Sequence, residues 1–315
     1  MLNISAAKAE KISEHPSHIK QTGGDIVFNI LNYLFFGLFT LSCIFPFYYI
    51  FINTISSREL VARGLITFYP RELTISNYIA LGNVNDIWRS FGITVLRTVI
   101  GTATAVFASA LAGYLMTKKE LWCRKVWYRV IVVTMYFNAG LIPIYMNLST
   151  LNLTDSFWVY IIPCIVSLYN IILVKTYIES IPGEIEESAY LDGAGYWVIF
   201  RRIIWLLSKP IPATIAIFGA VGHWNSFQDS LICNANSPEL YTLRHRLYVY
   251  LNSSSNLSAL MNGASSSDSA ALSSLFNSKV IQYTISMVTI IPILLVYPFM
   301  QRYFEKGIML GAVKG

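Results

Sequence analysis

Six long apolar stretches recur along the chain, and no other feature of the sequence limits its fold as strongly. Each stretch is near the ~20 residues that an α-helix needs to cross a hydrocarbon core of ~30 Å. Within lipid, a helix satisfies its backbone hydrogen bonds internally, whereas irregular chain does not. We therefore predict an all-α polytopic membrane protein with six transmembrane helices, at about 26–52, 90–116, 126–146, 157–177, 211–232 and 280–303.

The charged residues agree with this fold class and argue against a nucleic-acid partner. Only 13% of the residues are Asp, Glu, Lys or Arg, whereas roughly 25% is typical of a soluble domain. The net charge is +6, but the basic residues cluster just outside the apolar stretches and form no face of their own. This distribution is typical of membrane orientation and not of phosphate binding.

The distribution of Lys and Arg predicts that both termini are cytoplasmic. With the N-terminus inside, 15 of the 23 basic residues lie in inside segments and 7 lie in outside segments, as the positive-inside rule favours. This orientation predicts a cytoplasmic tail at 1–25, a transmembrane domain at 26–303 and a cytoplasmic tail at 304–315. The long outside loops are 53–89, which looks folded, and 233–279, which is rich in Ser and Asn. The second of these loops either meets a partner or the substrate, or is a solvated loop with no role.

The sequence carries no motif of an enzyme or of a metal site. It contains no GxxxxGK[ST] phosphate-binding loop, so the chain cannot be an ATP-hydrolysing subunit. HExxH, GxSxG and paired carboxylates within a span are also absent, so we expect no catalytic residue, metal site or bound cofactor. The four cysteines are scattered without a CxxC pair, and we expect them to be small buried hydrophobic residues. They are Cys43, Cys123, Cys164 and Cys233.

Small residues recur every fourth position in the second predicted span. Gly101, Ala105, Ser109 and Gly113 form a ridge on one helix face, which lets another helix approach closely. The partner helix belongs either to this chain or to another subunit. Arg97 lies one turn before the ridge on the same face, and we expect it to extend outward to the membrane surface and not into a cavity.

The loop between the fourth and fifth spans, at 178–210, is predicted to be two short helices joined by a glycine turn on the cytoplasmic surface. Ser180 is the predicted N-cap of the first helix, and Asp192 the predicted cap of the second. Gly193 and Gly195 interrupt the helical pattern between them. A short, rigid helix of this kind suits the passage of force between two subunits, although an ordinary interfacial connector would have the same pattern.

The centre of this loop resembles the EAA motif (EAAxxDGA) of the permease subunits of ATP-binding-cassette (ABC) importers. The match extends through Phe200 to Pro210, with Leu206 at the position of the usual proline. In that family, the motif helix sits in a cleft of the ATPase, with the Glu and the Gly of the motif at the contact. The residues that carry the coupling role over to this chain are Glu187, Ser188, Ala189, Asp192, Gly193 and Ala194, of which Ser188 replaces an alanine.

Three further segments are similar to carbohydrate-uptake permeases, in particular to the MalG-like members and the LplC/YtcP branch: Phe137–Pro143, Trp224-Asn225 and Lys306–Gly315. This resemblance implies a type I ABC importer permease fold in the plasma (inner) membrane of a prokaryote. It implies a heterodimer with a second permease subunit, a cytoplasmic ATPase dimer that binds ATP and Mg, and an extracytoplasmic solute-binding protein. The cargo it implies is a sugar, more in keeping with an oligosaccharide than with a monosaccharide.

The second half of the fifth predicted span is unusually polar. A broken helix at that depth is tolerated only where it lines a protein interior or a water-filled cavity. Sugars bind to aromatic faces and hydrogen-bonding groups, so this segment and one amide of the third span are the candidate substrate pathway. Its residues are His223, Trp224, Asn225, Gln228, Asp229 and Asn138. Asp229 could instead be solvated near the outer surface.

The sequence thus favours an ABC-importer permease that moves a sugar by alternating access, driven by a separate ATPase. One alternative is a permease of the same type for a non-sugar solute. The other is an ion-coupled secondary transporter, for which Asp229 is the one candidate coupling acid within a span.

Overall fold

The computed structural model describes residues 23–82, 85–252 and 279–298, and its regular elements within these ranges are all helical. The predicted tail 304–315, most of the predicted tail 1–25 and residues 253–278 of the predicted loop 233–279 lie outside the described residues. The longer helices of the described residues are α1 (Gly23–Thr54), α2 (Arg58–Ala62), α3 (Ser76–Gly82), α4 (Asn85–Thr117), α5 (Arg124–Tyr136), α6 (Leu141–Thr150), α7 (Leu168–Ile178), α8 (Gly183–Leu191), α9 (Tyr196–Leu207), α10 (Pro210–Asn225), α11 (Gln228–Cys233), α12 (243–252) and α13 (Lys279–Pro298). Short 3-10 helices lie at Phe157–Tyr160, Ile162–Cys164 and Pro238–Leu240.

Three of the predicted spans are long, unbroken apolar helices. These are α1, α4 and α13, each apolar and long enough to cross a membrane. The chain divides into two units at Tyr49–Ile50, and the described part of the first unit is the apolar stretch 23–49 of α1. Most of its large apolar side chains are exposed, as expected of a helix that faces lipid or another protein. The helix runs through Pro46 without a break.

The other three predicted spans are broken. α5 and α6, in the third predicted span, meet at 116°, and Phe157–Cys164 and α7, in the fourth, at 43°. The fifth is interrupted at Ser226 and Phe227, between α10 and α11. The bend of 80° between α9 and α10 lies just before it. The third predicted span, 126–146, thus consists of two helices with a sharp break between them. Gly140 explains the break there, because it has a φ of +85°, which a side chain would strain. If each bent pair counts as one span, the described residues contain six.

α4 is the centre of the second unit, and it packs against α7 and α10. The small-residue ridge is buried and lies at these contacts. Its partner helices, α7 and α10, therefore belong to the same chain. A Cβ on Gly101 would come within 2.5 Å of the His223 ring, and one on Gly113 within 2.5 Å of Val174. The second half of α4 also joins α8 and α9 in one apolar cluster that includes Tyr114, Val174 and Phe200.

The segment between α1 and α3 is folded, as its composition predicts. Asn77 is buried and donates from Nδ2 to the carbonyls of Thr54 and Ser56, at 2.9 Å each. Arg58 in turn donates to the Asn77 Oδ1 at 3.1 Å. These bonds satisfy buried backbone groups that no helix pairs.

The cysteines differ from the sequence-based expectation. Cys233 is buried, but Cys43, Cys123 and Cys164 are exposed, and all four are free thiols. Cys43 lies on the exposed surface of α1, and Cys123 precedes α5 in a left-handed turn. The exposure of each cysteine thus depends on the helix or turn that carries it, and not on the apolar character of its side chain.

Candidate functional site

The first candidate site is α8, the helix that carries the EAA-like residues. It ends in a glycine turn because Gly193 has a φ of +79°, at which its N–H donates to Tyr190 and that of Ala194 donates to Ala189, both at 3.0 Å. The predicted caps are wrong at both helices. Pro182 precedes α8, with Ser180 turned back to the Tyr177 carbonyl, and α9 starts after Gly195, which has no side chain to form a cap bond.

The two faces of α8 have different surroundings. Ala189 is 8% exposed and packs into the apolar cluster at the end of α4. Glu187, Ser188, Asp192 and Gly193 are exposed, and Leu191 beside them is 89% exposed. Ala194 is half-buried at the turn. The motif residues therefore present one open surface on a helix whose other face is packed.

Glu186 holds α8 to α4. Its carboxylate forms an ion pair with the Lys118 ammonium and accepts a hydrogen bond from the Tyr114 hydroxyl at 3.1 Å. The Lys118 ammonium also lies over the Tyr114 ring, 3.9 Å from its centroid. We call Tyr114, Lys118 and Glu186 the Glu186 anchor. Burial lowers the pKa of Lys118 to about 8, which leaves it charged at neutral pH. The contact spans 68 residues of sequence, and no local pattern predicts it.

The return from the loop to the membrane is sharply bent despite the leucine at the motif's usual proline. Leu206 is 52% exposed near the end of α9, and α10 begins at Pro210, where a proline suits the first turn. Residues Phe200–Ile204 within α9 form a π-helix. The bend of 80° thus comes after Leu206, at Ser208 to Pro210, and does not need a proline at position 206.

The second candidate site is the break in the fifth span, and the predicted broken helix is confirmed. α10 ends at Asn225, Ser226 is extended, and α11 begins at Gln228. The Asn225 amide donates to the Val221 carbonyl at 3.0 Å, and its Oδ1 accepts from the Arg244 guanidinium at 2.7 Å. Asn225 thus fixes the α10 side of the break and joins it to α12.

Arg97 of α4 is the central residue beneath this break. It is 1% exposed and pairs with Asp229, whose second oxygen lies 3.3 Å from the guanidinium. It also donates to the Ser226 carbonyl at 3.2 Å and lies over the Tyr160 ring, 4.5 Å from its centroid. The expectation that Arg97 extends to the membrane surface is wrong, because the Asp229 carboxylate and the Tyr160 ring compensate its charge inside the protein.

The remaining predicted pathway residues have different positions. The Trp224 indole donates to the Thr289 carbonyl of α13 at 3.0 Å, and His223 is buried against α4. Gln228 is exposed at the start of α11. Asn138 is exposed in the break between α5 and α6, where it accepts a hydrogen bond from the Gly140 N–H at 2.9 Å.

A buried hydrogen-bond network connects the break to α12. The Ser230 hydroxyl lies 2.9 Å from both the Tyr160 hydroxyl and the His245 Nδ1, and it accepts from the Thr242 N–H at 3.3 Å. Burial, and then the charge of Arg246, lower the pKa of His245 to about 4. The ring is therefore neutral at physiological pH, and it contributes hydrogen bonding and not charge.

Comparison with known proteins gives consistent relatives along nearly the whole chain, although no family model matches it. The polygalacturonan/rhamnogalacturonan transport system permease protein YtcP of Bacillus subtilis (strain 168) is 32% identical over 292 residues, which is 92% of this chain and 99% of the relative. Protein LplC of the same organism is 31% identical over 304 residues, with 96% and 99% covered. The arabinooligosaccharides transport system permease protein AraQ, also from this organism, is 26% identical over 295 residues, with 92% and 97% covered.

A solved structure with the same fold comes from a bacterial ABC transporter involved in the import of the acidic polysaccharide alginate. Its TM-score is 0.79 at 29% sequence identity, and the match covers 90% of this chain and 99% of that one. Fold, membrane-spanning helices and relatives therefore agree. The chain belongs to the permease subunits of prokaryotic ABC sugar importers.

Proposed function

We propose that this chain is one half of a permease heterodimer that moves an oligosaccharide across the plasma membrane by alternating access. The observation that carries the proposal is the arrangement of α8, with the EAA-like residues exposed on one face and Ala189 and Glu186 packed onto α4 on the other. Named relatives that transport arabinooligosaccharides and polygalacturonan support a saccharide cargo.

The energy source is a separate ATPase dimer, which binds ATP and Mg. Its cleft receives the open surface of α8, where Glu187 and Gly193 make the contact. When the ATPases close, α8 is displaced, and the Glu186 anchor passes that displacement to α4. Because α4 packs against α7 and α10, the membrane helices then move together from an inward-facing to an outward-facing arrangement.

The orientation follows from the excess of Lys and Arg on the side of α8, which is the cytoplasmic side. α10 starts near that side and rises roughly 24 Å over its length, so the break at Asn225 lies toward the outside. An extracytoplasmic solute-binding protein delivers the sugar there. Asn225 and Gln228 contact it in the passage, whereas His223, Trp224 and Asp229 position the break.

Ion-coupled transport is the weaker candidate. It needs an acid in the membrane that can bind and release a proton or an ion. Asp229 is paired with Arg97 and also accepts from the Ser226 hydroxyl at 3.1 Å. The Asp229 carboxylate is therefore already engaged by donors of the protein.

ATP-dependent uptake by the complete importer in proteoliposomes tests the proposal. A panel of labelled saccharides is offered with wild-type ATPase or with ATPase that lacks its catalytic carboxylate, and without an ion gradient. We expect uptake only with the active ATPase. Uptake that continues with the inactive ATPase and needs an ion gradient would contradict the proposal.

A glycine pair in the α8 loop tests the coupling role. Gly193→Val places a β-branched residue at a φ of +79°, whereas Gly195→Val introduces the same side chain at a φ of −74°. Neither Cβ meets another atom within 4 Å. We expect Gly193→Val to lower uptake per ATP hydrolysed or to release the ATPases, and Gly195→Val to change it less. Normal uptake and normal ATP hydrolysis with Gly193→Val would refute the coupling role.

A further inference from the structure

Two side chains of α12 face the break in the fifth span. Arg244 and Tyr248 are four residues apart, so they lie on one face of the helix. Arg244 donates to the Asn225 Oδ1 at 2.7 Å. The Tyr248 ring packs against the Phe227 ring at a tilt of 33°, with the centroids 5.1 Å apart. We call Asn225, Phe227, Arg244 and Tyr248 the Arg244 patch.

Within the described ranges, the Arg244 patch has a positive charge that no carboxylate balances. Among the described residues, Arg97 pairs with Asp229 and Arg246 lies 3.6 Å from Asp86. No carboxylate of the described residues forms an ion pair with Arg244. Its guanidinium is half-buried, and one of its N–H groups is directed to a neutral amide. The Arg244 guanidinium is thus not neutralised by a described carboxylate, and its remaining N–H groups can donate to a ligand.

The surroundings of this charge fit a sugar better than a lipid headgroup. Tyr248 is 37% exposed, and Phe227 and Asn225 are partly exposed beside it. Aromatic faces of this kind pack against sugar rings, and an amide hydrogen-bonds to hydroxyls. The break also leaves backbone groups outside a regular helix, which do not face lipid. An arginine in such a patch selects a carboxylate.

We propose that the Arg244 patch binds a uronate unit of an acidic oligosaccharide as the sugar enters the passage. The proposal rests on the proposed function and names the class of its substrate. Arg244 binds the carboxylate, Tyr248 and Phe227 cover a face of the sugar ring, and Asn225 holds the guanidinium in place. Arg244 is then the residue that determines specificity for charged over neutral sugars.

Two probes with the same sugar backbone, one charged and one neutral, test this site. The complete importer in proteoliposomes is given trigalacturonate or its methyl ester, and the half-saturation concentration for ATP-dependent uptake is measured. We expect the wild-type protein to favour the charged probe. Arg244→Gln should raise the half-saturation concentration for trigalacturonate roughly ten-fold and leave that for the ester almost unchanged, because it removes a charge-assisted hydrogen bond.

Matched variants separate recognition from folding. Arg244→Lys keeps the charge but loses the fork, and should give an intermediate value. Arg89→Gln removes an exposed arginine from the start of α4, outside the patch, and should behave as wild type. Co-purification of the ATPases and unstimulated ATP hydrolysis show that each complex is assembled.

Each remaining outcome overturns a different statement. An equal loss for both probes, or no change for either, would show that Arg244 does not select charge. Uptake of other saccharides but of neither probe would overturn the substrate class and leave the proposed function intact. Absence of ATP-dependent uptake for every saccharide would overturn the proposed function itself.

Discussion

Gly113→Ala should destabilise the protein, because α4 and α7 touch at this glycine. A Cβ there would lie 2.5 Å from the Val174 Cγ1, 2.6 Å from its Cβ and 3.1 Å from the Ile171 carbonyl oxygen. Val174 is buried and its χ1 is restricted in a helix, so its methyl groups cannot turn away. The two helices must separate instead.

The magnitude follows from two opposing effects. Forcing one carbon into a packed contact costs about 1–3 kcal/mol. Replacing a helical glycine by alanine contributes about 0.5–1 kcal/mol in the other direction. We therefore expect a net loss of roughly 1–2 kcal/mol, which lowers the thermal midpoint by a few degrees.

Gly219→Ala is the matched control for this substitution. Gly219 lies on α10 and also faces α4, but its Cβ would be 3.5 Å from the nearest atom, the Thr102 Cγ2. The thermal midpoint of Gly219→Ala should equal that of the wild-type protein or exceed it. The assay is thermal unfolding of the purified importer in detergent, followed by tryptophan fluorescence. The double variant Gly113→Ala/Val174→Ala should lose less than the sum of its two single variants. A midpoint for Gly113→Ala equal to that of Gly219→Ala would refute the close contact.

Two further predictions concern charge. Removing one partner of the Glu186 anchor by Lys118→Met or Glu186→Gln should lower uptake per ATP hydrolysed several-fold. Lys175→Met, which breaks a more exposed pair with Glu179, should have little effect. The same uptake per ATP hydrolysed in all three variants would contradict force transfer through the anchor. His245 has a pKa of about 4 when folded and an ordinary value of 6.5. Between these values only the unfolded chain binds the proton, so stability should fall by up to roughly 3 kcal/mol as the pH drops from 6.5 to 4. Thermal midpoints measured across this range should fall less for His245→Gln, and identical slopes would count against a buried neutral ring.

Local patterns in the sequence predicted the features that depend on local chemistry. Apolar length located the spans, and the polar residues after His223 located the break in the fifth span. The spacing of small residues from Gly101 to Gly113 located the buried face of α4. The glycine turn at Gly193 was also predicted, because few other residues adopt a positive φ.

Contacts between distant residues were not predictable in the same way. Arg97 and Asp229 are 132 residues apart and Lys118 and Glu186 are 68 apart. From the sequence, Arg97 and Asp229 each have a separate explanation as a charge near the membrane surface. Only the packing of α4 against the rest of the chain brings the partners together.

The two ion pairs also restrict how α4 moves. Arg97 and Lys118 are about 30 Å apart along this helix, and each is bound to a different part of the chain. Sliding the helix along its axis by one turn, about 5.4 Å, would separate both charges from their partners at once. Tilting it about one end keeps the pair at that end, and keeps the pair at the other end only if the partner there moves with the helix. We therefore expect α4 and the two segments that carry Asp229 and Glu186 to move as one body during the transport cycle.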